Sequence, residues 1–378
     1  MIPLNKPGRI TVSSGGGDFL ADHFKDRNAY YLSTASDALN VIFGRLYEEH
    51  GSLRVGVSPL VCFQAIYPIV THGHVPVFLD IDPDTFNIDT HKLAERDDIQ
   101  SLALIHLGGD PNEMDVIEKY SKERGIPVIE DCAQAMGSTY EGRFLGNFGD
   151  YAAFSLIKNL HVPSGGLLLS KTDMSGQVAH ALAMGKILGR YRKLKIGLES
   201  RIDHRPCNVW NWLYSGLLSL KQGASVVNDN GLHTLEKRDV DDVVRCFGSF
   251  ETLYHRRLDN AEMIISGIDP LKAKVQQVPE KGVSNRNRVM FRLIDRDAED
   301  VIKALRNKGI AANNLTQNYK CGFQPHVSGD HLLGRYFRKQ ELEVYDSVFH
   351  KIVAVPSSPF LTKEEIEHIN HNLNEIIR

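Results

Sequence analysis

Several things are scarce in this chain of 378 residues, and each scarcity removes a class of function. Cysteine occurs five times, at Cys62, Cys132, Cys207, Cys246 and Cys321, an odd and scattered set without a C-x-x-C pair. That pattern argues against a disulfide framework or a zinc site and for reduced thiols. Neither sign of charge dominates: 44 lysines and arginines stand against 47 aspartates and glutamates, and a net charge of -3 gives no reason to expect nucleic acid as a partner. No run reaches the roughly 18 apolar residues of a membrane span. The opening MIPLNKPGRITVSSGGGDF lacks a long apolar leader core. The expectation is therefore a cytoplasmic protein. Internal repeats and low-complexity linkers are also missing.

What is present is the alternation of an α/β protein. RVGVSPL, VPVFLDID, SLALIHL and IPVIED read as strands, with FQAIYPIVTHG and MDVIEKYSKERG as helices between them. Apolar strands separated by helices predict a mainly parallel mixed sheet flanked by helices on both faces. Before them, TASDALNVIFGRLYEEHG predicts a helix capped by Thr34 or Ser36, its apolar face carrying Ala38, Leu39, Ile42, Phe43 and Leu46. The first thirty residues, rich in Gly and Pro, read as a surface arm.

The text changes in the middle of the chain. KILGRYRKLKIG carries Lys186, Arg190, Arg192, Lys193 and Lys195 with no acid, and the only two tryptophans, Trp210 and Trp212, follow. This stretch of about residues 185–225 reads either as a basic lid for a diphosphate-bearing substrate or an amphipathic contact with a membrane or partner, or as a solvated basic face followed by a helix at the subunit interface. A smaller C-terminal α/β domain then starts near residue 241, giving domains at 1–240 and 241–378. In it RVMFRLI reads as a strand, and DAEDVIKALRNKG as a helix capped by Asp297 and stopped by Gly309. Thr362 and Glu365 form a capping box for a final helix.

The stretch from Pro127 to Leu169 organises the rest. An apolar run ends in Glu130 and Asp131, which places a carboxylate at the C-terminal mouth of a buried strand, where open α/β sheets hold ligands. Gln134 follows. A second strand, Tyr151 to Leu156, carries Ser155 and delivers Lys158, and Gly165 and Gly166 open a third. An acid, an amide, a hydroxyl and a lysine at successive strand ends suit pyridoxal 5'-phosphate (PLP). That cofactor accepts electrons only while its ring nitrogen stays protonated, so a carboxylate must face the nitrogen, and Asp131 is the candidate. His106, before Gly108 and Gly109, reads as part of a turn and not as a metal ligand, since no second ligand stands at a useful spacing.

At these residues the sequence resembles the DegT/StrS family of nucleotide-sugar aminotransferases, PLP enzymes of the aspartate aminotransferase fold type. The hallmarks stand as Glu130, Asp131, Ala133, Gln134 and Gly137, then Gly146, Gly149 and Asp150, then Phe154, Ser155, Lys158, Gly165 and Gly166. Two positions depart from the pattern: Ser155 and Lys158 stand closer together than is usual, and Ser164 replaces an acid commonly found before the glycine pair. The resemblance implies Lys158 as the Schiff-base lysine and proton shuttle, Asp131 as the ring-nitrogen partner and Gln134 as the partner of the ring hydroxyl. Ser36 and Ser155, with the backbone amides of Ala35, Ser36 and Asp37, would hold the phosphate at a helix N-terminus. Phe63 would stack on the ring face, and Asn230 would reach the phosphate of a partner subunit's cofactor, with Asn228 as the alternative. The implied reaction is amino transfer, with glutamate as the implied donor, to a nucleotide-linked keto-sugar in surface polysaccharide or glycoside biosynthesis, performed by a homodimer. Two other readings stay open. One is a sugar dehydratase, whose members carry histidine at the lysine position; the other is a cofactor-binding or regulatory protein without turnover.

Overall fold

The structure is a computed structural model that describes residue 2 and residues 19–162, 165–181, 243, 246–314 and 342–378. The domain boundary expected near residue 240, the basic stretch 185–225, Asn228 and Asn230 lie outside the described residues.

In chain order, α1 (Phe19–His23) leads to β1 (Asn28–Leu32), α2 (Ala35–His50), β2 (Arg54–Val57), α3 (Phe63–Thr71) and β3 (Val75–Phe78). Then come α4 (Thr90–Ala94), β4 (Ser101–Ile105), α5 (Met114–Arg124), β5 (Val128–Asp131), β6 (Thr139–Tyr140), β7 (Arg143–Phe144), β8 (Tyr151–Ser155), α6 (Leu156–Leu160) and β9 (Gly166–Ser170). The seven-stranded sheet runs β1-β9-β8-β5-β4-β2-β3. Strands β8, β5, β4, β2 and β3 are parallel, and β9 is antiparallel to both of its neighbours. The mainly parallel mixed sheet is thus as expected. Its central strands are buried along their length because each side chain meets a covering layer on one face or the other.

Two sequence expectations change. The N-terminal arm does not extend to residue 30, since Asn28–Leu32 is an edge strand paired with Ser170–Gly166. Lys158 does not pass directly from strand to strand but sits on the short helix α6. Elsewhere the local signals act as read. Thr34, and not Ser36, caps α2: its side chain accepts from the Asp37 N–H at 3.1 Å, and Ala38, Leu39, Ile42, Phe43 and Leu46 are buried.

The C-terminal part follows as α7 (Phe250–Ser266), β10 (Ala273–Val275), β11 (Gly282–Val283), β12 (Arg288–Leu293), α8 (Ala298–Asn307), α9 (Glu343–Val348), β13 (Ile352–Pro356) and α10 (Lys363–Ile377). Strands β10, β12 and β13 form an antiparallel sheet. Val289, Phe291, Val353 and Val355 share a core with Val301, Ile302 and Leu305 of α8 and with Ile366, Ile369 and Leu373 of α10. Burying such side chains stabilises by roughly 1.5–3 kcal/mol each. Both halves of the Thr362–Glu365 capping box form. Asp297 stands at the N-cap of α8 without a side-chain cap bond.

Two of the joints between this part and the large sheet lie at Asp80 and at β11. Asp80, just beyond β3, accepts from the N–H groups of Val344 and Tyr345 at 3.0 and 2.9 Å and pairs with Lys92 at 2.7 Å. Strand β11 pairs with β6, which brings residues 282–288 beside the loop that follows β5.

Candidate active site

The parallel strands β8, β5, β4 and β2 lie side by side, so their C-terminal ends open on one edge, with Ile105 opposite Asp131 and Asp131 opposite Ala153. Alternation along β5 sends its two acids to opposite faces. Glu130 turns inward and is saturated: Gly146 N–H and the His106 Nε2 meet one oxygen at 2.8 and 3.2 Å, and the N–H groups of Phe148 and Gly149 meet the other at 2.9 and 2.7 Å. Burial alone would raise its pKa, but the bonds from His106, Gly146 and Gly149 prevail and hold it below the usual carboxylate range. The G-x-x-G-D turn of the sequence is therefore a cradle for Glu130.

Asp131 takes the other direction and lines two adjoining clefts. Lys158, Cys62 and Ala133 line both clefts; Gln134, His106 and Leu60 belong to the first, and Ala35, Ser36, Ser155 and Gln64 to the second. Residues from five separate parts of the sequence thus converge. One oxygen of Asp131 accepts from the Ala133 N–H at 3.0 Å. Burial raises the pKa of this carboxyl, and Ala133, Lys158 and His106 offset only part of that rise. A cation placed against it would relieve the cost.

The short helix α6 explains the close spacing of Ser155 and Lys158. One helical turn puts positions i and i+3 on the same side, so both side chains reach the second cleft. Among the described residues the Lys158 amine has no hydrogen-bond partner, whereas its carbonyl accepts from Asn287 and Arg257. Gln134 is oriented by the Gly108 N–H, which donates to its Oε1 at 3.2 Å and leaves the Nε2 hydrogens as the end able to donate.

The N-terminus of α2 is pressed over the start of β9. A Cβ on Gly166 would stand 2.2 Å from the Thr34 carbonyl, closer than any side chain allows. Ala35 and Ser36 consequently face the second cleft. Asp37 does not: its N–H is engaged by Thr34, its residue lines neither cleft, and burial pushes its carboxyl up to about 6. The amide at 37 is thus taken by the helix cap instead of standing open to a ligand. Phe63 opens α3 next to Cys62, with its side chain outside the described residues. The Cys62 thiol is pushed up by burial, the state of a neutral packing group and not of a thiolate nucleophile.

The structure also corrects the spacing argument about His106, because Glu130 and Cys132 bring their ligand atoms within 4.8 Å of it and of one another. Occupied hydrogen bonds argue against a metal there. Four donors meet Glu130, and His106 Nδ1 accepts from the Asn112 N–H at 3.3 Å. Sequence reading missed Asn159, His161, Arg257, Asn285 and Asn287. Asn159 and His161 belong to the lysine turn itself, while Arg257, Asn285 and Asn287 approach it from as many as 129 residues away, and no motif announced them.

The donor set fits PLP. A buried carboxylate needing a cation, an amine without a hydrogen-bond partner among the described residues, an amide donor and the hydroxyls of Ser36 and Ser155 at a helix N-terminus match an aldehyde, a ring nitrogen, a ring hydroxyl and a phosphate.

Residues 18–210 match the sequence model of the DegT/DnrJ/EryC1/StrS aminotransferase family, and the chain belongs to that family. Among curated relatives, a dTDP-3-amino-3,6-dideoxy-alpha-D-galactopyranose transaminase of Aneurinibacillus thermoaerophilus is 24% identical over 91% of this chain and 84% of its own. MosB of Rhizobium meliloti is 33% identical over 40% of this chain, and the match spans only 32% of MosB. A solved GDP-4-keto-6-deoxy-D-mannose-3-dehydratase of E. coli, with bound hydrated PLP, shares the fold at a TM-score of 0.68 and 18% identity, covering 94% of this chain and 89% of that one. Among the described residues no helix is long and apolar enough to cross a membrane.

Proposed function

We propose that this chain is a PLP-dependent aminotransferase that moves an amino group from an amino acid, with glutamate as the donor, onto a keto-sugar carried on a nucleotide. The observation that carries the reading is the lysine amine without a hydrogen-bond partner among the described residues, in the same clefts as a buried carboxylate. When bound, PLP supplies an aldehyde that joins to amines and a protonated ring that draws electrons from the neighbouring carbon.

The chain's residues do the rest. Asp131 holds the proton on the ring nitrogen, and the low-dielectric setting that raises its own pKa strengthens that charge pairing. Lys158 would tether the cofactor, and its Nζ would hold and move a proton at the substrate carbon. Gln134 donates from Nε2 to the ring hydroxyl. Ser36 and Ser155, with the amides of Ala35 and Ser36, would hold the phosphate, and Phe63 would cover the ring face. Asn230 (or Asn228) would complete the site of a partner subunit in a homodimer. A cytoplasmic location is part of the proposal and rests on the odd, scattered set of cysteines in the sequence. The family likeness to a dehydratase favours no second reading, because Lys158 stands where dehydratases carry histidine.

The test is exchange: protein supplied with PLP, glutamate and a panel of nucleotide keto-sugars should form 2-oxoglutarate and an amino sugar. Bound PLP without any exchange would support the regulatory alternative instead.

A further inference from the structure

Helix α6 has five residues, so its last carbonyls lack partners inside the helix. Remote side chains supply them. Asn287 donates from Nδ2 to the Lys158 carbonyl at 3.1 Å. Arg257, 2% exposed, donates from one guanidinium nitrogen to the Asn159 carbonyl at 3.1 Å and to the Lys158 carbonyl at 3.4 Å. The same nitrogen donates to His161 Nε2 at 3.1 Å. His161 can accept because burial first, then Arg257 and Arg288, push its pKa down to about 3.

The donors are themselves held in place. Arg288 donates to the Asn287 backbone oxygen and to its Oδ1 at 2.7 and 3.2 Å, which fixes the amide so that Nδ2 faces the lysine turn. Asn285 donates to Met136 O at 2.9 Å and to Asn159 Oδ1 at 3.3 Å, and its own N–H donates to Ser138 Oγ. Ser138 in turn donates to the Gly109 carbonyl at 2.6 Å, beside the Gly108 N–H that orients Gln134. A Cβ on Gly109 would stand 2.0 Å from Asn285 Oδ1, so the turn admits Asn285 only because residue 109 is glycine. One short segment, 284–288, therefore touches both the backbone that carries Lys158 and the turn that orients Gln134.

We propose that Asn287 and Arg257 are positioning residues that fix the direction in which the Lys158 amine leaves its turn. The proposal rests on the reading of Lys158 as the reacting amine. Reactivity is sensitive to such placement, since a shift of about 1 Å can cost on the order of 10²-fold.

N287D keeps the size of the side chain and its contact with Arg288 but cannot donate to the lysine carbonyl. R257K keeps the charge and loses the forked reach. In the PLP-loaded enzyme each should lower kcat by about tenfold or more while KM for donor and acceptor moves less than about threefold. In cofactor-free protein, amide exchange across Leu156–His161 should speed up about tenfold while the core strands keep their protection. If one variant does not fold, the other decides. Wild-type exchange and kcat in the folded variants overturn the proposal, as does faster exchange with unchanged kcat. A wild-type protein that takes up no PLP defeats the functional reading instead, and the exchange result still decides whether the backbone clamp exists.

Discussion

Gly166 and the carbonyl of Thr34 are in such close contact that a single added carbon would lie 2.2 Å away. Strand β9 and the first turn of α2 thus meet backbone to backbone, and this contact brings Ala35 and Ser36 to the cleft that Lys158 lines. G166A should force the two apart, costing about 1–3 kcal/mol of stability. It should weaken PLP binding more than tenfold while leaving far-UV circular dichroism near wild type. Thermal melts and a cofactor titration check both parts.

D131N retains the volume of the side chain and loses the negative charge. PLP should remain attached while kcat falls by about two to four orders of magnitude, the usual weight of a group that governs proton transfer. Steady-state rates beside the absorbance of bound cofactor separate the two effects.

Asp37 makes a prediction about pH. Its carboxyl is raised by burial from 3.8 to about 6, so the folded state holds a proton that the unfolded state has released between those values. Stability therefore falls as pH rises through that window and is level above it. D37N removes the effect and should be more stable than wild type at pH 7, by on the order of 2 kcal/mol, with the gain shrinking toward pH 4. Paired melts from pH 4 to pH 8 in cofactor-free protein measure it.

Asp80 behaves in the opposite sense. Burial opposes its charge, but Lys92 and the N–H groups of Tyr345, Val344 and Ile81 win and hold its pKa below the ordinary value. Its contribution is present above the unfolded carboxylate pKa and is lost as pH falls through the lowered folded one. D80A should cost about 1–3 kcal/mol at pH 7 by leaving those donors unpaired, and equilibrium unfolding reads this directly.

How far the sequence alone reached depends on the range of the interactions involved. Asp131 and Lys158 were visible because strand ends, glycine turns and their spacing are local, and the same holds for the Thr362–Glu365 box. Helix α6 was not, because LIKNL is too short to show a helical period and continues the apolar character of β8. The cap of α2 was ambiguous between Thr34 and Ser36 until geometry showed which oxygen meets the Asp37 N–H, and that same bond removes the amide of residue 37 from the proposed phosphate site. Arg257, Asn285 and Asn287 were invisible for a different reason. Each acts on a backbone group some 98 to 149 residues away, Arg257 from α7 and Asn285 and Asn287 from the segment that follows the β11–β6 pairing.

The central claim is that Lys158 is the residue that bonds the cofactor. Protein incubated with PLP, reduced with borohydride and digested should yield a single PLP-modified peptide with the label on Lys158, and K158A should take up no label. A label on any other lysine, or undiminished labelling of K158A, would contradict the account.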